Sequence, residues 1–294
     1  MWPLLKRQAS THIYIRVNST GSTLVPITIF SETQFIQAIG TRELLFGMMY
    51  GTLIVMLLYN LFLYLALGNK SYLYYCIYFI GFLAAQSAID GHIYYYLYGE
   101  YTWLTHLMTT LGQVIGTIAA LLFAMYFLET EKYTPKLHRV LKGFIIIVAL
   151  STISILLLDY TRGAIIGIVN VLVSTPLLLL TGILAWRAGN KAAKLYVIAW
   201  TVVLAGLATL VLVIVGQLPY NDLTRRASQV GVVIEVILLS LALADRINIL
   251  RKQREQAQAA ALASAQENER IIKEQNTLLE EKVDERTYEL KQKQ

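Results

Sequence analysis

Seven long apolar stretches, separated by short polar connections, dominate the pattern of the chain. Each is close to the length of about 20 apolar residues that a helix needs to cross a bilayer. Two of the connections are only four residues long, which places the neighbouring helices antiparallel and side by side. The pattern predicts an all-α membrane protein, a seven-transmembrane helix bundle over residues 41–245. Its spans are Leu44–Leu67, Tyr72–Ile89, Leu104–Leu128, Leu141–Leu158, Gly163–Trp186, Leu195–Gly216 and Ala227–Ala244.

The residues before the first span follow a different pattern. Thr11–Asn18 and Thr23–Phe30 are rich in β-branched residues, and a turn containing Gly21 separates them. This pattern predicts two β-strands. An isolated hairpin is only marginally stable in water. We therefore expect residues 1–40 to be the tail of an extracytoplasmic β domain, or else to lean on the bundle.

The segment after the seventh span, residues 246–294, is polar and has neither Gly nor Pro, so it should continue as one helix. Its distal apolar residues recur at heptad-like spacing, which is typical of a coiled coil. The proximal ones are offset by one position, so the register changes in the alanine-rich middle. We expect a cytoplasmic coiled-coil signalling linker that joins two chains as a homodimer, with a single solvated helix as the alternative. The distal residues are Ile272, Leu279, Val283 and Leu290, and the proximal ones are Ile247, Leu250, Ala257 and Ala261.

The composition agrees with a membrane protein. Hydrophobic residues make up 56% of the 294 residues and charged residues 15%, whereas soluble domains carry about 25% charged residues. Cys76 is the single cysteine, which excludes an intramolecular disulfide and a paired-cysteine metal site. No nucleotide-binding glycine loop, catalytic triad or zinc motif is present. We therefore expect no cofactor, no nucleic-acid partner and no enzymatic activity within this sequence.

The distribution of Lys and Arg predicts the orientation in the membrane. Twelve of them flank the spans on the side of the carboxyl-terminal segment, against four on the other side. The positive-inside rule then places the amino terminus outside and the carboxyl terminus in the cytoplasm. The loop Gly91–Trp103 has no Lys or Arg but contains five tyrosines, which is typical of an interfacial aromatic belt, with a ligand cage as the alternative.

Three segments carry a resemblance to a known family. They are GMMYGTLIVMLLYNLFLYLALGNKSYLYYCIYFIGFLAAQSAIDGHIYYYLYG (Gly47–Gly99), ALADRINILRKQRE (Ala242–Glu255) and NERIIKEQNTLLEEKVDERTYEL (Asn268–Leu290). The glycine pattern, the Tyr59–Asn60 pair and the tyrosine-rich second span resemble the bacterial seven-transmembrane receptors with diverse intracellular signalling modules (7TMR-DISM), over about residues 40–290. The later segments are similar to the linker that these receptors place before an output domain.

The resemblance implies a signal-transduction receptor in a bacterial inner membrane, a relative of two-component systems. It would pass an extracytoplasmic signal through the bundle and the coil to a kinase or cyclase, either fused or a separate partner. The sequence carries no histidine-kinase, GGDEF or phosphatase motif, so we expect the output module and most of the sensor to lie outside it.

Polar residues inside the spans are the strongest candidates for function, because a charge in the bilayer is costly. Glu235 lies in the middle of span seven, either as a ligand contact or switch, or as an interhelical hydrogen-bonding group. Asp90 and His92 flank Gly91 at the end of span two, and His106 begins span three, so the three are expected to meet at an outer mouth. Interfacial hydrogen bonding is the simpler interpretation there, with a metal or anion site as the alternative. Asn60 is a further polar group within a span.

Backbone features add two predictions. Pro176 interrupts the hydrogen bonding of span five and should kink it; it is the hinge candidate, with a static bend as the simpler interpretation. The spacing of three glycine pairs fits close helix packing: Gly47/Gly51, Gly112/Gly116 and Gly163/Gly167.

Other membrane classes fit less well. Span seven has no lysine for a retinal Schiff base, and the motifs of animal G-protein receptors are missing after spans three and seven. A transporter- or channel-like protein with a cytoplasmic assembly coil remains the alternative, because Pro176 and Glu235 lie within spans.

Overall fold

The computed structural model of the chain describes residues 14–16, 27–92, 102–157, 160–219 and 221–292. Within these ranges every regular element is an α-helix. Seven helices are long and the fourth is a single turn, which confirms the predicted fold class. The elements are α1 (Glu32–Leu67), α2 (Lys70–Ile89), α3 (Thr102–Phe127), α4 (Thr130–Tyr133), α5 (Pro135–Leu157), α6 (Tyr160–Arg187), α7 (Ala193–Ile214) and α8 (Asp222–Gln292).

Among the described residues, six helices are long and apolar enough to cross a membrane: α1, α2, α3, α6, α7 and α8. The predicted fourth span lies in α5. This helix begins with a basic stretch that ends at Lys142, and its side chains are described only as far as Ile153. The described part of its apolar run is therefore shorter than a membrane span.

The first connection shows how the sequence sets the helix boundaries. Gly68 ends α1 in the left-handed conformation, with φ +65°, and donates its N–H to the Tyr64 carbonyl at 2.8 Å. A residue without Cβ adopts this conformation at little cost. Asn69 then caps α2, because its side-chain oxygen accepts the N–H of Ser71 at 2.9 Å. Two residues thus reverse the chain and hold α1 and α2 antiparallel.

The amino-terminal prediction is not supported by the structure. Residues 14–16 and 27–30 of the two predicted strands have no regular structure, and the rest of those strands lies outside the described residues. Helix α1 begins at Glu32, well before the predicted start of the first span. Ser31 explains this, since it forms a capping box with Gln34 and so extends the helix into the polar segment. The expected boundary at residue 40 therefore falls inside a helix.

The core of the bundle is aromatic. Phe123 on α3 stacks on Tyr75 of α2 with ring centroids 5.0 Å apart, and on Phe127 at 5.2 Å. Phe127 in turn stacks on Tyr196 of α7 at 6.0 Å. All four rings are buried. Such rings bury a large area. They join α2, α3 and α7 in one hydrophobic core, and α8 packs on that core.

Glycines set the closest helix approach, between α2 and α3. A Cβ on Gly81 would lie 2.6 Å from the backbone nitrogen of Gly116 and 2.7 Å from the carbonyl oxygen of Gly112. The predicted Gly112/Gly116 face is therefore a packing face. The pair Gly47/Gly51 is different, because a Cβ at either position meets no atom within 4 Å. Within this chain the pair therefore faces no other helix, and its role as a packing face stays a prediction.

Helix α8 combines the predicted seventh span and the polar segment in one helix of 71 residues. Its side chains pack on the core as far as Ile247, whereas residues 251–283 are all exposed. Ion pairs between residues four apart line the exposed part, including Arg251–Glu255 at 3.2 Å and Arg270–Glu274 at 2.9 Å. The helix thus leaves the bundle without a break.

Candidate functional site

Three polar clusters join α8 to the other helices at successive heights. We call them the Asp90 cluster, the Glu235 cluster and the Arg246 cluster, after their central residues. Their members on α8 are Gln229, Glu235 and Arg246. Because α8 rises about 1.5 Å per residue, the first and last of these residues lie about 26 Å apart along the helix.

In the Asp90 cluster, one carboxylate gathers donors from three helices. Asp90 ends α2 and accepts a hydrogen bond from the Tyr50 hydroxyl of α1 at 2.7 Å. Gln86, one turn earlier, donates its amide to the same carboxylate at 3.0 Å. Gln229 of α8 donates from the opposite side at 3.2 Å. The Asp90 side chain is half-buried, so its carboxylate is partly shielded from solvent but still accessible.

A cationic and aromatic layer lies beside this carboxylate. The Phe46 ring is buried, with the Arg42 guanidinium 5.8 Å and the Arg226 guanidinium 5.3 Å from its centroid. The His92 ring meets Phe46 edge-on at 4.7 Å and Tyr50 at 5.4 Å. Asp90 and His92 therefore share Tyr50 as a common neighbour.

The third residue expected at this mouth, His106, is exposed on α3, where its carbonyl accepts the Thr110 hydroxyl at 2.9 Å. Across the described part of the chain, no three His, Cys, Asp or Glu side chains are grouped as metal ligands. Most of the tyrosine-rich loop lies outside the described residues, and Trp103 at its end is exposed. The geometry at this end is that of a hydrogen-bonded carboxylate near a Phe46 ring that two guanidinium groups flank.

The Glu235 cluster lies inside the bundle. Glu235 is completely buried, and the Tyr78 hydroxyl donates a long hydrogen bond of 3.5 Å to its Oε2. Its Oε1 has no hydrogen-bond partner among the described residues, and neither do the Tyr196 hydroxyl and the Trp200 Nε1. The Trp200 ring lies 6.0 Å from the Tyr196 ring and 6.5 Å from that of Tyr78. The incompletely paired groups thus lie together at the junction of α2, α7 and α8.

Buried polar groups in folded proteins are nearly always paired, and each unpaired one costs about 1–3 kcal/mol. Glu235, Tyr196 and Trp200 thus leave three buried polar atoms without partners among the described residues.

The hydrogen bonds that follow Glu235 along α8 are shorter than the bond from Tyr78. The Tyr75 hydroxyl donates to the backbone carbonyl of Val236 at 2.9 Å. Asn60 of α1, completely buried, donates to the Ser240 hydroxyl at 3.0 Å and to the Met56 carbonyl at 2.8 Å. Asn60 thus links α1 to α8. No sequence pattern had indicated Tyr75 or Ser240 as partners of these helices.

The Arg246 cluster closes the bundle where α8 leaves it. The Arg246 Nη2 lies 2.7 Å from a carboxylate oxygen of Glu129, and Nη1 donates to the Tyr126 carbonyl at 3.0 Å. The guanidinium also stacks over the Phe127 ring at 5.4 Å. Glu129 has φ +49°, a conformation that costs a residue other than glycine energy, so the ion pair is held by a strained corner. In the sequence Arg246 counted only toward orientation.

Pro176 lies within α6, which continues through it. Because proline has no N–H, the carbonyl of Leu172 loses its usual partner one turn later. The neighbouring Thr175 hydroxyl donates to the Val171 carbonyl at 2.8 Å. Helix α6 packs on α3, α5 and α7 rather than on α8, so the hinge candidate is separate from the three clusters.

Comparison with known proteins gives one finding. The family model described as 7TM diverse intracellular signalling matches residues 42–246. No curated protein and no solved structure matches the chain. The matched range contains all three clusters, from Arg42 beside Phe46 to Arg246 at the exit of α8.

Proposed function

The chain belongs to the 7TM diverse intracellular signalling family, and from that premise we propose that it is a receptor that transmits a signal along α8. The observation that carries the proposal is the continuity of α8. One helix contacts Asp90 at one end of the bundle, crosses the core at Glu235, pairs with Glu129 at the other end and then extends beyond the bundle. Motion imposed on it at one cluster must reach the others.

The three clusters have different parts in this proposal. A signal at the Asp90 cluster changes its hydrogen bonds to Gln229 and so pushes or turns α8. The Glu235 cluster provides the second packing arrangement, because its unpaired groups can form new hydrogen bonds. The Arg246 cluster holds the exit of α8 in the resting position. A ligand that favours one arrangement shifts the equilibrium only by its difference in affinity for the two.

We place the receptor in a bacterial inner membrane, with its amino terminus outside and α8 extending into the cytoplasm. The excess of Lys and Arg on the α8 side supports this orientation. The exposed segment of α8 would pair with a second copy as a coiled coil and deliver the change to a kinase or cyclase module. Heptad-spaced Ile272, Leu279 and Val283 support that pairing, because all three are exposed in the single chain.

Insertions after Ala260 in α8 test this proposal in a receptor that carries its output module. Two inserted residues rotate the distal helix by about 200° and four by about 40°, whereas seven nearly restore its phase. We expect output to change most with two residues and least with seven, measured as phosphorylation or cyclic nucleotide formation in membranes. Equal output from all insertions would contradict coupling through helical phase. Solute flux in vesicles containing the protein would instead favour the transporter-like alternative.

A further inference from the structure

A groove of about 730 Å³ runs between α3, the α4 turn and α5, next to the Arg246 cluster. Its inner part is apolar and its rim is charged. Ile146 on α5 is 60% exposed, and we expect an apolar side chain this exposed on a membrane bundle to face lipid. The groove is therefore open to the lipid at the level where the charged rim begins. The lining residues are Leu122, Met125, Tyr126, Glu129, Glu131, Lys132, His138, Lys142, Ile145 and Ile146.

The charges at the rim are unequal once the existing contacts are considered. Glu129 is already paired with Arg246. Neither Lys132 nor Lys142 forms an ion pair within the described parts of the chain, and Lys132 lies over the ring of its neighbour Tyr133 at 5.2 Å. Glu131 is the only lining carboxylate left to oppose the two lysines, so the rim is positive.

The rim is held in place by a contact between α4 and α5. The Thr130 hydroxyl, which is buried, lies 2.8 Å from Nδ1 of His138. The turn that carries Lys132 is thereby fixed against the helix that carries Lys142. Both lysines therefore belong to one lining that also includes Leu122, Ile145 and Ile146.

We propose that this groove binds an anionic membrane phospholipid. Its phosphate lies between Lys132 and Lys142, and one acyl chain lies along Leu122, Ile145 and Ile146. Basic pockets between membrane helices are suited to such head groups. A soluble phosphate compound would use the two lysines but gain nothing from the apolar wall. The proposal concerns binding alone and does not depend on a role in signalling.

The decisive variant neutralises the two lysines. The full-length protein is purified and placed in phosphatidylcholine vesicles with or without phosphatidylglycerol, and lipids retained on the protein are counted by native mass spectrometry. We expect K132Q/K142Q to weaken retention of phosphatidylglycerol by roughly tenfold to thirtyfold. The matched control K191Q/K194Q removes one lysine from the α6–α7 connection and one from the first turn of α7, and should leave retention unchanged. An equal loss in both double variants, or none in either, overturns the proposal.

Two further measurements separate a lipid from a free phosphate and guard against misfolding. L122W fills the apolar wall without changing any charge and should also reduce phosphatidylglycerol retention. Inorganic phosphate should not displace the lipid, whereas full displacement together with unchanged binding in L122W would assign the site to free phosphate and overturn the proposal. K132R/K142R keeps the charge and should retain the lipid. If it loses the lipid although its helical melting curve equals that of the original protein, the charge argument fails.

Discussion

The Arg246 guanidinium lies 2.7 Å from the Glu129 carboxylate, and this contact joins residues 117 positions apart in the chain. It ties α8 to the corner between α3 and α4 where α8 leaves the bundle. Arg246 is 13% exposed and Glu129 is 39% exposed, so solvent weakens the pair only in part. This makes it the structural restraint that sets the resting position of α8 in the proposed receptor.

Removing this restraint should lower stability and change the signal together. R246Q and E129Q should each lower the free energy of unfolding by about 1–3 kcal/mol, since each breaks a charged hydrogen bond. The swapped pair E129R/R246E should recover part of the loss. Thermal melting in detergent and output in membranes are the two measurements. R251Q breaks an exposed pair on α8 and should cost at most about 0.5 kcal/mol. If R251Q lowers the free energy of unfolding as much as R246Q does, the Arg246 contact contributes no more than an exposed ion pair.

Glu235 should limit stability while allowing the switch. Replacing it with methionine removes an incompletely paired buried carboxyl at similar volume, so E235M should raise the free energy of unfolding by about 1–3 kcal/mol. The same change should abolish the response to the signal, because the second packing arrangement loses its hydrogen bonds. The control is I234A, which changes the residue just before Glu235. Its side chain is exposed rather than buried in the cluster, so this variant should keep the response. A destabilised E235M with normal response would identify Glu235 as an ordinary structural hydrogen-bonding group.

The α2–α3 crossing should tolerate no added carbon. G81A places a methyl group 2.6 Å from the Gly116 backbone nitrogen, and the helices must separate to admit it. We expect a loss of about 1–3 kcal/mol, as for other overpacked cores, visible as a lower melting temperature. G51A adds the same methyl group on α1, where no atom lies within 4 Å, and should leave the melting temperature unchanged or slightly higher, because alanine favours a helix over glycine. If G81A and G51A lower the melting temperature equally, the loss does not come from the α2–α3 crossing.

The orientation can be measured with single cysteines. Cys76 is 3% exposed and should not react with an impermeant maleimide. In a C76S background, W103C should be labelled in intact cells and K136C only after the cells are opened. Trp103 lies at the start of α3, whereas Lys136 lies in the first turn of α5, which follows the other end of α3. Labelling in the reverse order would invert the proposed orientation.

The bundle was predictable because each span must satisfy its own backbone and present apolar side chains to lipid, so each leaves a long apolar run. The start of α1 was not, because a capping box of Ser31 and Gln34 extends a helix into polar sequence that hydropathy assigns elsewhere. The glycine pairs show the same limit. Gly112/Gly116 and Gly47/Gly51 have identical spacing, and only the former meets another helix.

The clusters were predictable in their central residues and not in their partners. Asp90 and Glu235 stand out because polar groups in spans are costly. Gln229 reaches Asp90 across 139 positions, and Ser240 reaches Asn60 across 180, so their pairing depends on how α8 docks. The ion pair of Arg246 was missed for another reason. A basic residue at the end of an apolar span is first interpreted as evidence of membrane orientation, and not as a partner of a distant carboxylate.

The exposed length of α8 separates two kinds of influence that a membrane can exert. From Arg246 to Gln292 the helix extends about 69 Å, whereas electrostatic fields in physiological salt decay over about 8 Å. Only the first basic residues past the bundle, Arg251, Lys252 and Arg254, lie near enough to respond to the surface potential of the leaflet. In the proposed receptor the distal half is electrically screened from the bilayer, so we expect it to report mechanical changes in the bundle without interference from the charge of the lipids around it.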